Sequence, residues 1–197
     1  GTTGYEEAAV LGLMAGINAS LKIKGKEPLI LDRSSSYIGT LIDDLITKGT
    51  SEPYRIFTAR SEYRLILRDD NADVRLMEIG HKVGLVSKER YEKVIKKIED
   101  TDRTLKKLSR IFISSKDEVS NNLLISRGET TIKNGASLME ILKRSNITYE
   151  DIKQISSEVE TFDKSVEYHI ETEAKYEGYI KIQMEMVGKF KKLEDKV

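Results

Sequence analysis

The side chains best suited to binding a nucleic acid lie between positions 53 and 73. Arg60, Arg64 and Arg68 recur there at every fourth position, so on a helix they would form one basic stripe. Three aromatic side chains are interleaved with these arginines: Tyr54, Phe57 and Tyr63. A row of guanidinium groups beside aromatic rings suits the binding of phosphates and stacked bases.

The same stretch carries its own acids, which leaves a second interpretation open. Its arginines would then pair with neighbouring carboxylates on a solvated helix face, as exposed ion pairs commonly do. These acids are Glu62, Asp69 and Asp70. The spacing of the arginines does not choose between the two interpretations.

The bulk composition limits the classes of function. Lys+Arg and Asp+Glu both number 33 in 197 residues, so any nucleic-acid binding must come from a local patch rather than a global field. The chain has no cysteine, which excludes disulfides and cysteine-ligated metals. No apolar run approaches the roughly 20 residues of a membrane span, so we expect no membrane contact and a cytoplasmic location. Because the chain begins at Gly1 rather than methionine, we expect a piece of a longer protein.

The pattern along the chain predicts a mainly α fold. Charged residues reach 34 % and there are only two prolines, a composition that favours helices. The expected helices cover residues 5–20, 37–47, 60–68, 74–83, 87–110, 137–144 and 148–155, and a long terminal helix begins at 163. Residues 111–135 mix β-branched and polar residues and predict an irregular connection, with a short extended piece at 122–126.

Two motifs resemble a known family. They are D-R-S-x-x-Y-I-G-x-L-I-D-D-L at residues 32–45 and A-K-Y-E-G-Y-I-K at residues 174–181. Both are similar to the C-terminal part of the FAD-dependent subunit of the enzyme that installs a carboxymethylaminomethyl group on tRNA wobble uridine, the glucose-inhibited division protein A family. A folate- and FAD-dependent tRNA methyltransferase shares the end of the FAD domain, but these two motifs favour the first family.

The resemblance implies a division of the chain into four segments. Residues 1–28 would be the tail end of an FAD-binding α/β domain, 29–110 a helical subdomain with the arginine-rich stretch, 111–135 the connection, and 136–197 a C-terminal helical subdomain. The complete protein would use FAD, NADH and a folate one-carbon donor. It would work with a GTPase partner subunit on tRNA and form a homodimer.

The opening turn would contribute contacts to FAD in the complete protein. The implied contacts are Gly1, Thr2, Thr3, Gly4 and Tyr5. No G-x-G-x-x-G follows a strand in this chain, so we expect only an edge of a flavin site and no flavin bound to this piece. We also expect no catalytic residue, no metal site and no activity from this piece alone.

Two further surfaces follow from the resemblance. The implied tRNA-binding residues are Arg55, Arg60, Tyr63, Arg64 and Arg68. The residues expected to face tRNA or a partner are Lys175, Tyr176, Gly178, Tyr179 and Lys181. Because glycine costs a helix up to about 1 kcal/mol relative to alanine, we expect another helix or a ligand to approach closely at Gly178.

An interaction module is the alternative function for this piece. Its helices would dock the GTPase partner without touching tRNA, and the neutral charge balance favours this reading. The predicted helix at 87–110 has a basic far side, which would extend a tRNA path or simply be an exposed charged face. Phosphate contacts weaken steeply with salt, whereas apolar docking does not, so salt dependence separates the two functions.

Overall fold

The structure is a computed structural model that describes residues 2–49 and 51–194. Its helices are α1 (Tyr5–Ile23), α2 (Tyr37–Asp43), α3 (Ala72–Lys82), α4 (Lys88–Leu108), α5 (Glu118–Ser126), α6 (Leu138–Leu142), α7 (Tyr149–Ile155) and α8 (Lys164–Glu194). The strands β1 (Phe112–Ile113) and β2 (Ala136–Ser137) form an antiparallel pair. The predicted mainly α fold is therefore confirmed.

The chain forms two compact units. One comprises Gly1–Val94 with Ile180–Val197, and the other is Ile95–Tyr179. The four segments expected from the sequence rest on changes in composition and on family resemblance, which is a different criterion from compactness. Their boundaries at residues 28, 110 and 135 stay a prediction.

The unit Ile95–Tyr179 is built around an apolar core supplied by its short helices and the first part of α8. Ile141, Ile147 and Ile152 are completely buried in it. Reciprocal capping boxes set where α6 and α7 begin, since Ser137 pairs with Glu140 and Thr148 with Asp151. These signals were readable in the sequence, and the helices begin where they predict.

Residues 111–135 are more regular than the sequence predicts. Phe112 in β1 lies opposite Ser137 in β2, and residues 118–126 form α5 instead of containing an extended piece. The Asp117 carboxylate caps α5 by accepting a hydrogen bond of 2.8 Å from the Ser120 backbone N–H. Two β-branched residues of this helix, Val119 and Ile125, lie exposed.

In the first unit, α1 and α2 form as predicted, and a π-helical turn (Asp44–Lys48) extends α2. Ser36 caps α2 by accepting from the Gly39 backbone N–H at 3.0 Å. Only glycine fits at position 39, because a Cβ there would lie 2.0 Å from the Asp32 carbonyl oxygen. This close approach holds the start of α2 against the loop that carries Arg33.

The predicted helix at residues 60–68 is wrong. Thr58–Arg60 form a 3₁₀ turn and residues 62–66 form turns. The Ser61 hydroxyl accepts a hydrogen bond of 3.2 Å from the Tyr63 backbone N–H, which offers the backbone a local alternative to a helix. Tyr63 and Leu67 then bury against Val187 of α8, so packing decides the conformation of this segment.

Shortening one side chain in the core of the second unit should strongly lower the stability of the fold. Ile152→Ala should lower the free energy of unfolding by about 3 kcal/mol, because Ile152 is 0 % exposed and its removal leaves a cavity. The matched control is Ile125→Ala on α5, where the side chain is 60 % exposed and the change should stay below about 0.5 kcal/mol. Urea unfolding measures both variants, and equal losses would contradict the assignment of the core.

Candidate nucleic-acid interface

An ion-pair network centred on Arg33 organises the arginine-rich segment. The Arg33 guanidinium donates to Asp43 Oδ2 at 2.9 Å and to Asp44 Oδ1 at 2.6 Å. Its other edge meets both carboxylate oxygens of Glu62 at 2.8 Å. Arg33 also donates to the backbone carbonyl of Arg60 at 3.3 Å, which ties the network to the predicted binding residues.

Asp44 is the buried anion of this network, with 2 % of its surface exposed. Burial alone raises its pKa, but hydrogen bonds from Lys48, Tyr54 and Arg33 outweigh burial and lower the pKa from 3.8 to about 2. The Tyr54 hydroxyl donates to Asp44 Oδ2 at 2.7 Å, and Lys48 Nζ lies 2.8 Å from Oδ1. Asp44 is therefore ionised at neutral pH, with donors on both oxygens.

Tyr54 connects this buried carboxylate to the surface. Burial raises the pKa of Tyr54, and so does the hydrogen bond to Asp44, which keeps its hydroxyl protonated as a donor. The Arg60 guanidinium lies over the Tyr54 ring, 4.6 Å from its centroid. A pocket of about 170 Å³ opens beside this pair, with Lys48 and Glu52 among its lining residues. The Tyr54 ring thus holds an exposed cation at the mouth of a pocket.

The segment after Tyr54 is fastened to the start of α1. The Thr3 backbone N–H donates to the Tyr54 carbonyl at 3.0 Å, and Thr2 forms a parallel β-bridge with Tyr54. The buried Glu7 carboxylate accepts a hydrogen bond of 2.9 Å from the Ile56 backbone N–H. This hydrogen bond lowers the pKa of Glu7, so the carboxylate that fastens Ile56 to α1 carries a negative charge.

The structure separates the five predicted tRNA-binding residues into two groups. Arg55, Arg60 and Arg64 are exposed. Arg68 is held by Asp70, with contacts of 2.9 and 3.3 Å to its two oxygens, and by the Leu65 carbonyl at 2.9 Å. Tyr63 is 5 % exposed and belongs to the core. Arg68 and Tyr63 therefore do not fit the phosphate and stacking roles, because their binding groups are already used inside the protein.

The aromatic residue that the structure leaves at this surface is Phe57. It is 55 % exposed, and the Arg55 guanidinium lies 5.9 Å from its ring centroid. Tyr54, which the sequence made a candidate for base stacking, is buried and covered by Arg60. The alternative interpretation, in which the stripe arginines pair with nearby acids, is confirmed for Arg68 with Asp70, whereas Glu62 pairs with Arg33 instead.

The second predicted surface lies on α8. Tyr176 and Tyr179 are exposed, with ring centroids 6.4 Å apart. Lys175 is half-buried and bonded to Glu171 Oε1 at 2.8 Å, whereas Lys181 is exposed. Gly178 is exposed, and a Cβ built there would meet no atom within 4 Å among the described residues. The expected close approach at Gly178 is therefore not found within the described part of the chain.

Four of the five residues that the resemblance assigns to FAD lie in the described part of the chain, at the start of α1. Gly1 lies outside the described residues, and Thr2 and Thr3 are bonded to Tyr54. Gly4 caps the 19-residue helix α1 through its backbone alone, and Tyr5 is 94 % exposed. A helix N-terminus suits a phosphate or flavin anion, but the Glu7 carboxylate already lies against Gly4. These residues fit an edge contact, and they do not by themselves enclose a cofactor.

Sequence reasoning missed the residues that build this site. Arg33, Glu7 and Asp44 were not among its candidates. The available signal was the D-R-S motif placed about ten residues before D-D, which supplies opposite charges without saying that they meet.

Within the described residues, no cluster of three or more potential metal ligands occurs, and no helix is long and apolar enough to cross a bilayer.

Comparison with protein families gives two matches. A family model described as the tRNA modifying enzyme MnmG/GidA C-terminal helical domain matches residues 88–184. A second, described as glucose inhibited division protein A, matches residues 1–27. Residues 1–27 and 88–184 are thus similar to the same family.

Curated relatives and a solved structure resemble the whole chain. The tRNA uridine 5-carboxymethylaminomethyl modification enzyme MnmG of Caldicellulosiruptor saccharolyticus is 53 % identical over 196 residues, and that of Alkaliphilus oremlandii is 51 % identical over 197. The chain spans 31 % of the length of each relative. The crystal structure of Aquifex aeolicus GidA in form II superposes with a TM-score of 0.83 at 40 % identity, covering 99 % of this chain and 30 % of that one.

The lowered pKa of Asp44 predicts a pH-dependent stability. Folding lowers this pKa from 3.8 to about 2, so the stabilisation is complete above about pH 4 and is lost as the pH falls towards 2. Asp44→Asn should cost about 3 kcal/mol at pH 7, since it removes the anion from a buried network. The difference from the wild type should narrow between pH 4 and pH 2.

Urea unfolding across this pH range measures the difference. The control is Asp43→Asn, because Asp43 is half-exposed and makes one contact with Arg33, so its loss should stay below about 1 kcal/mol. A constant difference for Asp44→Asn from pH 7 to pH 2 would show that its charge does not stabilise the fold.

Proposed function

This chain belongs to the glucose-inhibited division protein A family of tRNA-modifying enzymes, with residues 88–184 as its C-terminal helical domain, and we propose that it binds tRNA for that enzyme. The observation that carries the proposal is the exposed group of Arg55, Phe57 and Arg60 beside the Arg33 network. The resemblance drawn from the sequence motifs is confirmed at the level of the family.

The chemistry of this surface favours an RNA backbone over other ligands. An arginine fork donates to two phosphate oxygens at once, and an exposed aromatic ring beside it can stack on an unpaired base. Arg60 is suited to this because its carbonyl is held by Arg33 and its guanidinium by the Tyr54 ring. A cation that is already positioned loses less conformational freedom when it binds a phosphate.

The complete enzyme is proposed on the same family basis. It would place a carboxymethylaminomethyl group on the wobble uridine of tRNA, using FAD, NADH and a folate one-carbon donor. It would act in the cytoplasm as a homodimer with a GTPase partner subunit. In this scheme Thr2, Thr3, Gly4 and Tyr5 contribute an edge of the FAD site, and the chain contributes no catalytic residue.

Docking of the GTPase partner is a second candidate function, supported by one feature of α8. Ile182, Met186 and Phe190 recur at every fourth position near its end and are all exposed. Such a row is the pattern by which helices dock in grooves. Lys175, Tyr176, Gly178, Tyr179 and Lys181 remain candidates for the same partner or for tRNA. This function is compatible with tRNA binding because it uses other residues.

Binding of unmodified tRNA across a salt series tests the proposal. Arg55→Ala/Arg60→Ala should weaken binding about tenfold at low salt and reduce the slope of log K against log salt by about 1.5, because two phosphate contacts are lost. The control is Lys24→Ala/Lys26→Ala, which removes the same charge from another exposed part of the same unit.

The outcome separates the two candidate functions. If the arginine variant and the lysine control bind tRNA equally, Arg55 and Arg60 are not phosphate contacts. If the wild type does not bind tRNA even at low salt, the tRNA-binding proposal fails and partner docking takes its place. Ile182→Asp/Met186→Asp then tests the partner in a pull-down with the purified GTPase.

A further inference from the structure

A basic cleft lies in the second unit, where α4 ends. It is open to solvent, encloses about 460 Å³, and is lined by Arg103, Lys106, Lys107, Arg110, Ile111 and Glu158. Four of these six residues are cations. All residues that line the cleft belong to Ile95–Tyr179, so it shares none with the group of Arg55, Phe57 and Arg60 in the first unit.

The four cations share one helical face. Their positions follow the spacing i, i+3, i+4 and i+7, so neighbouring cations lie side by side on the helix. The stripe expected at every fourth position from Arg60 to Arg68 does not form, because residues 60–68 are not an α-helix. Arg110 lies just beyond α4, but its backbone N–H still bonds the Lys107 carbonyl at 2.9 Å and continues the helical path. A continuous row of positive charge therefore borders the cleft.

Acidic neighbours neutralise two of these cations and leave two available. Glu160 bonds Arg103 at 3.0 Å and Lys107 at 3.4 Å. The side chains of Lys106 and Arg110 make no hydrogen bond or ion pair with any residue in the described part of the chain. Glu158 is the acid that lines the cleft beside them.

Compensation of the helix dipole explains only part of this arrangement. Cations in the last turn of a helix stabilise its free carbonyls by roughly 0.3–1 kcal/mol each. Arg103 lies more than one turn before the end of α4, so the dipole does not require it. A row of four cations beside an open cleft, two of them without an acid partner, is instead typical of a surface that receives phosphates.

We propose that this cleft is a second phosphate-binding site for the RNA backbone, in which Lys106 and Arg110 contact phosphate oxygens and Glu160 positions Arg103 and Lys107. The inference rests on the proposed tRNA-binding function and adds a contact point in the second unit. Lys106 and Arg110 lie four positions apart on one face, a spacing that suits one phosphate group or two successive ones.

The test uses the full chain and unmodified tRNA in a salt series, with two cleft variants. Lys106→Ala/Arg110→Ala should weaken binding about tenfold at low salt and reduce the salt slope by about 1.5. Glu158→Gln should strengthen binding about two- to threefold, because it removes a negative charge that repels phosphate. The control, Lys88→Ala/Lys93→Ala, removes two cations from α4 outside the cleft.

Each outcome supports or overturns the inference. The expected result is a loss for the double cleft variant, a gain for Glu158→Gln and little change for the control, with unaltered thermal unfolding in all three. If the cleft variants match the control while Arg55→Ala/Arg60→Ala weakens binding, the cleft is not a site and the proposed function stands. If only the cleft variants change binding, the cleft is the site and the Arg55 surface is not. A wild type that does not bind tRNA overturns both.

Discussion

The buried carboxylate of Asp44 constrains the arrangement of the arginine-rich unit. An ionised acid away from water is stable only if donors surround it, because an unpaired buried charge costs several kcal/mol. Arg33, Lys48 and Tyr54 supply those donors from three different segments of the chain. The loop before α2, the turn after it and the segment that carries the exposed arginines must therefore meet at one point.

The same network converts flexible arginines into a positioned surface. Arg33 holds the backbone of Arg60, and the ring of Tyr54 holds its guanidinium. On the other side, Glu7 and Thr3 fasten the backbone on either side of Arg55 to the start of α1. The residues predicted to touch FAD and those proposed to touch RNA thus both contact Tyr54, the first through its backbone and the second through its ring.

The sequence predicted helices well wherever a local signal defined them. The capping boxes at Ser137 and Thr148 act within one turn, so the chain itself encodes where α6 and α7 begin. The helix predicted at residues 60–68 does not form, because the conformation of this segment depends on the packing of Tyr63 against Val187, more than one hundred residues away. The candidate binding residues could be chosen by type, but the network around Arg33 could not, since periodicity carries no information about which distant charges meet.

The decisive property of a basic residue is how many of its donors the fold already uses. Arg75 gives its guanidinium to Asn71 and to the carbonyls of Ser35 and Arg68, and Arg68 is likewise occupied by Asp70. Such groups use at least three of their five N–H donors to hold the fold together. Arg60 and Arg110 differ because the fold holds their backbone and leaves their charge at the surface. Spacing in the sequence does not distinguish these residues, whereas the number of hydrogen bonds that each guanidinium makes within the fold does.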